Sequence, residues 1–265
     1  MEFTCVQDED GSSKVFGLCA SADEAVAFEL GNILKTKTRV ELGLEGVAVK
    51  TLTMASAELL VTLLEDHSMC VWKVSPSQGA FQLEKRMNWD SEREDFLKTH
   101  SENHLKLKVD PASRDSSESF SAKLRFSNDG QLLIAQTSDG KLTIFNVAMW
   151  SIFSILNVGD VKIDDFLVFS NEILESQGVR LIALVTRSRK TIFVEIDSEG
   201  KVTEVHAQNR QVEKQVVAID GNMLTSVCAD GKIRVSDVNQ LWGFLKGQTE
   251  SAGELAAVKV EVRSP

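Results

Sequence analysis

Residues 121–156 carry the clearest alternation of apolar and polar positions in the chain. Three segments there, at 121–127, 131–137 and 141–147, are rich in branched and aromatic residues, which predicts three β-strands. Asn-Asp-Gly follows the first segment and Ser-Asp-Gly follows the second. Asp-Gly between two such segments is a strong hairpin signal, because the turn requires residues with positive φ. A fourth apolar segment, at 150–156, completes a predicted four-stranded unit.

The same unit can be placed on four further stretches of the chain. Its second hairpin turn then falls near Asp23, Asp66, Asp139, Arg189 and Asp230, at intervals of 43, 73, 50 and 41 residues. A nearly constant interval of about 40–45 residues is typical of a repeat in which each copy forms one small antiparallel sheet. The long second interval predicts an insertion, which we place at residues 87–119.

The third strand of each copy is an alternating segment that ends in branched or aromatic residues. The clearest examples are 69–74, 141–147, 191–196 and 232–238. Together with the Ser-Asn-Asp-Gly turn at 127–130, they resemble the WD-repeat family over nearly the whole chain, except the insertion and the last dozen residues. The family's Gly-His opening and Trp-Asp strand ending are missing. Trp89-Asp90 falls in the insertion, and only Ser236-Asp237 keeps the acidic position.

The resemblance implies an all-β fold: a β-propeller of four-stranded blades, about five to seven in number, in one domain that spans residues 1–265. Five blades can be placed, at 1–42, 47–89, 120–157, 161–206 and 212–246. Residues 256–262 alternate well enough to add a strand, which could pair with the first blade and close the ring. Members of the family usually have six or seven blades, so either a blade lies within the insertion or the ring is incomplete. An incomplete ring would leave strand edges that a partner could cover.

Blade stability is expected to depend on apolar packing, because the hydrogen-bonding residues typical of the family are missing. Such packing occurs between adjacent sheets and removes apolar surface from water. The residues expected to provide it include Leu133, Ile144, Leu181, Leu184, Ile192 and Val227.

The insertion begins with a helical pattern. Side chains that could share one helix face recur at three- or four-residue spacing. They are Trp89, Arg93, Phe96, Leu97, His100 and His104. Asp90 or Ser91 is the expected N-cap, and acidic residues fill the first turn, as the helix dipole favours. The side chains on this helix face either pack against the helix's own domain or bind a partner protein.

A second apolar group follows the last predicted repeat, in the segment 241–245. As part of an outer strand, Trp242, Phe244 and Leu245 would pack inward. Otherwise they would form an anchor for a partner, a role for which tryptophan is well suited. The candidate partner-binding residues are therefore Trp89, Phe96, His100, Trp242 and Phe244.

Charge and cysteine content limit which partners and which cellular compartment are expected. The formal net charge of −10 argues against direct binding of nucleic acid. Four widely spaced cysteines, each with apolar neighbours, indicate buried thiols in a reducing compartment, the cytoplasm or the nucleus. The N-terminus lacks a secretory-signal pattern. The most apolar stretch, 54–64, is too short to cross a bilayer, so no membrane insertion is expected.

The sequence offers little that could carry catalysis. On a continuous helix His100 and His104 could bind a metal ion, but a third ligand and the His-Glu-x-x-His order are missing. Asp164 and Asp165 would point to opposite faces of a predicted strand. No phosphate-binding loop or nucleophile elbow occurs. We therefore expect no metal, no cofactor and no catalytic residue.

Two functions are compatible with this sequence. The first is a non-catalytic interaction scaffold or accessory subunit of a multiprotein complex, which binds other proteins through propeller faces, the insertion or an open blade edge. The family resemblance implies this role as an assembly platform, although a fold does not fix a function. The alternative is an enzyme or small-ligand binder that uses the central channel of the propeller.

Overall fold

The structure is a computed structural model of the 265-residue chain. It describes residues 2–7, 13–20, 25–29, 38–40, 47, 49–56, 59–75, 80–105, 123–136, 141–159, 161, 163–186, 190–208, 212–217, 221–247 and 254–259. The chain divides into two compact units. The first comprises Met1–His100 and Ala122–Arg125, and the second comprises Ser101–Ser121 and Phe126–Pro265.

The first unit contains two four-stranded antiparallel sheets, each with its strands in chain order. The strands of the first sheet are β1 (Glu2–Gln7), β2 (Ser13–Ala20), β3 (Ala25–Glu29) and β4 (Thr38–Val40). The strands of the second sheet are β5 (Val49–Ser56), β6 (Leu59–Leu64), β7 (Ser68–Ser75) and β8 (Ala80–Asn88). Helix α1 (Trp89–Thr99) follows β8 directly.

The second unit begins with a short strand, β9 (Asn103–His104). Strand β10 (Lys123–Phe126), most of which is assigned to the first unit, follows it in the chain. The next strands of the second unit are β11 (Leu132–Gln136), β12 (Leu142–Asn146) and β13 (Ser151–Asn157). Strands β11, β12 and β13 pair antiparallel in this order, and β9 adds to the far edge of β13 in parallel.

The fourth and fifth sheets complete the second unit, and both are antiparallel with strands in chain order. The fourth sheet has β14 (Ile163–Phe169), β15 (Val179–Thr186), β16 (Thr191–Asp197) and β17 (Val202–Gln208), with α2 (Glu172–Ser176) after β14. The fifth sheet has β18 (Val212–Val217), β19 (Met223–Cys228), β20 (Lys232–Asp237) and β21 (Glu254–Lys259), with α3 (Val238–Leu245) after β20.

The predicted repeat is confirmed by the strand bounds. Along the chain, each of the five predicted turn positions falls between the bounds of the second and third strands of a sheet, although Asp23, Asp139 and Arg189 themselves lie outside the described residues. The predicted third strands correspond to β7, β12, β16 and β20. Turn chemistry and alternation therefore located the hairpins correctly, because both signals are local to the chain.

Two predictions near the C-terminus are wrong. Residues 241–245 belong to helix α3 rather than to an outer strand, because the Asp237 side chain caps the helix by accepting a hydrogen bond from Gln240 N at 2.9 Å. The outer strand of the fifth sheet is instead β21, which pairs with β20 and not with the first sheet. Its register joins Ile233 to Val258 and Val235 to Ala256.

The core of the second unit lies between successive sheets. One cluster joins the third and fourth sheets through apolar residues of β11, β12, β14, β15 and β16, among them Ile134, Ile144, Leu184 and Ile192. A second cluster joins the fourth sheet to β19 and α3, and it includes Phe169, Leu181, Phe193, Leu224 and Leu241. Apolar side chains therefore pack between these sheets, as predicted, and burial of such side chains is expected to stabilise the unit.

Polar contacts also connect successive sheets of the second unit. The Asn128 side chain donates to Ser170 O at 2.9 Å and accepts from Ser170 N at 2.8 Å. One repeat later, Asn171 donates to Gly221 O at 3.3 Å. Both asparagines follow a Phe-Ser pair, at 126–127 and at 169–170, so the two contacts come from equivalent positions of the repeat.

Candidate functional site

Helix α1 contains two of the five candidate partner-binding residues, Trp89 and Phe96, and a third, His100, follows it directly. Asn88, rather than the predicted Asp90 or Ser91, is the N-cap, and its side chain accepts from Ser91 N at 3.1 Å. The helix ends at Thr99, with His100 in an extended conformation as the C-cap. His104 lies in β9, so His100 and His104 do not share a helix face, and the geometry considered for a metal pair is wrong.

The root of α1 is buried in the first unit. Trp89 is only 2% exposed, and its backbone N donates to His67 O at 3.0 Å. His67, at φ +63°, approaches the Asp90 carboxylate with Nδ1 at 2.9 Å. Trp89 therefore attaches the helix to its own unit and is not accessible to a partner in this conformation.

The rest of α1 is exposed to solvent over most of its surface. Phe96 is half-buried and stacks on the exposed His100 ring, with ring centroids 4.4 Å apart and planes 10° from parallel. Leu97 beside them is 38% exposed. On the opposite side of the helix, Lys98 forms an exposed ion pair with Asp95 at 2.6 Å. We call Phe96, Leu97 and His100 the α1 apolar tip.

The other two candidates, Trp242 and Phe244, lie on α3 and attach this helix to the fourth sheet. Both are half-buried and pack on the cluster between the fourth sheet and α3. Trp242 Nε1 donates to Glu195 Oε1 at 2.6 Å, and Lys246 Nζ donates to Glu195 Oε2 at 2.5 Å. Lys246 also lies 5.9 Å from the centroid of the Trp242 ring. The predicted inward packing holds for these residues, although they are helical.

Glu195 was missed by the sequence reasoning, although a signal existed. It is a carboxylate only 8% exposed, in the otherwise apolar part of strand β16. Buried carboxylates are rare unless they are paired. An acidic residue within an apolar strand therefore indicated a cationic or N–H partner from another element.

The segment 101–105 is a further element that sequence patterns did not reveal. Asn103 donates to Ser154 Oγ and to Gly200 O, and its own oxygen accepts from Val202 N. Glu102, next to it, accepts from Lys141 at 2.5 Å and from Asn157 at 3.0 Å. This middle part of the predicted insertion is thus attached to the third and fourth sheets.

Several large apolar side chains are exposed on the described part of the chain. Met149 is 67% exposed, Ile173 47%, Leu83 42% and Val227 38%. Val227 was expected to pack between sheets, and its exposure contradicts that expectation. Scattered exposed apolar residues are normal on proteins, so only those that lie in a continuous apolar surface indicate binding.

Among the residues that the structure describes, no group of three or more His, Cys, Asp or Glu side chains is arranged to hold a metal ion. Cys70 and Cys228 are free and buried, and burial raises the pKa of the Cys70 thiol. Of the helices α1, α2 and α3, none is long and apolar enough to span a membrane.

Comparison with solved structures defines the fold class. In all, 1329 chains match. One is the crystal structure of the Myceliophteria thermophila Cps50 (Swd1) beta-propeller domain, with a TM-score of 0.51 and 9% sequence identity, covering 97% of this chain and 72% of that chain. No family model matches the sequence, and no curated protein matches it. The chain has a β-propeller fold, and its four-stranded antiparallel sheets are the blades.

Proposed function

We propose that this chain is a degenerate WD-repeat protein and a non-catalytic interaction scaffold, an accessory subunit that holds other proteins in a complex. The WD-type assignment is supported by the turn at 127–130. There Ser127 Oγ contacts Asp129 and accepts from Leu132 N, a local network that fixes the hairpin. The repeat spacing and the β-propeller fold add further support.

The observation that carries the scaffold proposal is the α1 apolar tip. Helix α1 is fixed at its root by buried Trp89, while Phe96, Leu97 and His100 lie where solvent reaches them. A helix that presents an apolar stripe from a rigid base is a common means of docking into a partner's groove. The tip residues are therefore proposed to contact a partner protein.

Charge and thiols support the remaining parts of the proposal. The net charge of −10 supports protein partners over direct contact with nucleic acid. The buried free thiols of Cys70 and Cys228 support residence in a reducing compartment, the cytoplasm or the nucleus.

Affinity purification of the tagged full chain from native extract tests this proposal. We expect at least one protein to co-purify in stoichiometric amount, and we expect Phe96→Asp with Leu97→Asp to remove it. Lys98→Ala, on the opposite side of α1, is the matched control and should retain it. Circular dichroism of each variant checks that the fold is intact. A chain that purifies alone, or a partner indifferent to the double variant, would contradict the proposal.

A further inference from the structure

The segment 101–105 contacts the second unit as a short peptide ligand contacts a binding site. Its strand part, β9, pairs in parallel with the last two residues of β13, Leu156 and Asn157. Leu105 N donates to Asn157 O at 3.0 Å, and the Leu105 side chain joins the apolar cluster between the third and fourth sheets. Backbone pairing therefore sets the direction of the segment, and Leu105 anchors its end.

Asn103 makes the most specific contacts of this segment. Its side-chain nitrogen donates to Ser154 Oγ at 2.9 Å and to Gly200 O at 3.1 Å. Its side-chain oxygen accepts from Val202 N at 3.2 Å. The contacts use both the donor and the acceptor end of one amide, so an aspartate, which has no N–H donor, could not replace this residue.

Glu102 adds a requirement for charge. Its carboxylate accepts from Lys141 Nζ at 2.5 Å and from Asn157 Nδ2 at 3.0 Å. The Glu102 side chain is 12% exposed and that of Lys141 is 24% exposed, so water screens this ion pair less than a pair at the surface. His104, by contrast, is exposed. The site therefore selects the pattern Glu-Asn-x-Leu, in which x is any residue.

The surface that receives the segment keeps its shape through contacts of its own. It consists of Lys141, Ser154, Asn157, Gly200 and Val202, which we call the edge groove. Gly200 N donates to Asp197 O at 3.1 Å, and the Asp197 carboxylate accepts from Glu199 N and Lys201 N. Ser154 Oγ donates to Gly200 O at 2.6 Å, which joins this turn to β13. The groove is therefore preformed, and preformed sites cost a ligand little in ordering.

Strand β9 uses only part of the outer edge of β13. Strand β13 runs from Ser151 to Asn157, and β9 pairs with its last two residues alone. Among the described strands, β9 is the outer neighbour of β13, so residues 151–155 have no described strand beside them on that edge. The backbone N–H and C=O groups of such an edge accept an added strand. A peptide longer than β9 could keep the side-chain contacts and pair with more of β13.

We propose that the edge groove binds an extended segment of a partner protein, and that residues 101–105 are an internal occupant which this partner displaces. The partner segment lies parallel to β13 and carries Glu-Asn-x-Leu, preceded by residues that pair with 151–155. The additional pairing favours a partner over a second copy of this chain, because exchange between copies replaces one short pairing with an identical one. The proposal is independent of the scaffold function, which depends on the α1 apolar tip.

Fluorescence anisotropy with a labelled peptide and the full chain tests the proposal. The peptide is Thr-Val-Thr-Val followed by the sequence of residues 102–105. It should bind the double variant Asn103→Ala/Leu105→Ala, whose own segment has lost its contacts, with a Kd of about 10–100 μM. It should bind the native chain at least about tenfold more weakly, because the tethered native segment competes at a high effective concentration.

A charge exchange makes the test specific to the groove. Adding Lys141→Glu to the double variant should weaken peptide binding at least about tenfold, and a peptide with lysine in place of its glutamate should restore the binding. Lys232→Glu, at an exposed lysine of the fifth sheet, is the matched control and should leave the binding unchanged. A peptide with alanine in place of its asparagine should not bind.

Three results would overturn the proposal. The first is a double variant that circular dichroism shows to be folded but that does not bind the peptide. The second is binding that Lys141→Glu leaves unchanged. The third is a native dimer in sedimentation equilibrium that Asn103→Ala abolishes, since the occupant would then be a second copy. If the double variant does not fold, Glu102→Ala, which keeps Leu105 in the core, replaces it with the same expected results.

Discussion

The fourth and fifth sheets share a strand order but differ in how they are buried. In the fourth sheet, the described side chains from 181 to 186 and from 191 to 196 are all buried, on both faces. In the fifth sheet, burial along β19 alternates, and every second residue is half-buried or exposed. A blade enclosed on both sides therefore needs an unbroken apolar sequence. The alternation along β19 is the period of two that β-geometry imposes when the two faces of a strand differ in burial.

The largest expected difference between the two sheets is in the unfolding free energy that is lost when a side chain is truncated. Phe193→Ala removes a ring only 1% exposed between the fourth and fifth sheets, and should destabilise the second unit by about 3–5 kcal/mol. Val235→Ala, at a half-buried position of β20, should cost about 1 kcal/mol or less. Urea unfolding followed by circular dichroism, at low protein concentration, measures both. Equal losses would show that the two sheets are equally enclosed.

Two glycines of the fifth sheet differ in how closely other residues approach them. Gly221 lies at the junction with the fourth sheet, and Gly231 lies in the hairpin between β19 and β20. Gly221 has φ +72°, and a Cβ there would collide with Ser170 O. Gly231 has φ +75° and open space around the same position. Gly231→Ala should cost about 1 kcal/mol from backbone strain alone. Gly221→Ala should cost about 2–4 kcal/mol, because the steric overlap adds to that strain. Thermal unfolding of the two variants compares them, and similar melting temperatures would contradict the tight junction.

Substitutions at the contacts of helix α3 test whether the fourth sheet stabilises this helix. Glu195→Ala removes the acceptor for Trp242 Nε1 and Lys246, and should cost about 1–3 kcal/mol. Hydrogen exchange should accelerate in 238–246 more than in β15. Lys246→Ala, which leaves the Trp242 contact intact, is the control and should have the smaller effect. Uniform acceleration throughout the second unit would mean that α3 has no separate attachment.

The smallest expected effect is on stability at acidic pH. The Arg234 guanidinium lowers the pKa of Asp230, in the hairpin of the fifth sheet, below its ordinary value of 3.8. A carboxyl with a lowered folded pKa stabilises the fold above its unfolded pKa, and this contribution is lost as pH falls through the folded value. Asp230→Asn should therefore slightly reduce the loss of stability between about pH 4 and pH 2. Melting temperatures across this range measure it. An unchanged pH profile would show that the exposed pair contributes nothing.

The sequence was most informative about features that are local to the chain. Asp-Gly turns, alternating strands and the 40–45-residue interval predicted the five hairpins, and α1 was correctly expected after β8. The same local signals failed at α3, where the apolar residues of 241–245 fit either a strand or a helix. The choice was made by the Asp237 cap and by packing against the fourth sheet.

The candidate site was predicted less well than the fold. Phe96 and His100 were expected on one helix face, and the structure stacks them. Trp89 was grouped with them by spacing, but it is buried because the first turn of α1 lies against its own unit. Glu195 and Asn103 were not identified, since their partners lie about 50 residues or more away in the chain.

By itself, the sequence determined where strands and turns form, since backbone conformation depends on φ preferences and on the alternation of neighbouring side chains. Only the tertiary structure decided which faces are covered. The apolar residues of β16 and residues Val227, Ile233 and Val235 look alike along the chain, yet the first are buried and the second are only half-buried or exposed. The reason is that burial is a property of what packs against a residue, and that neighbour is set by contacts distant in sequence.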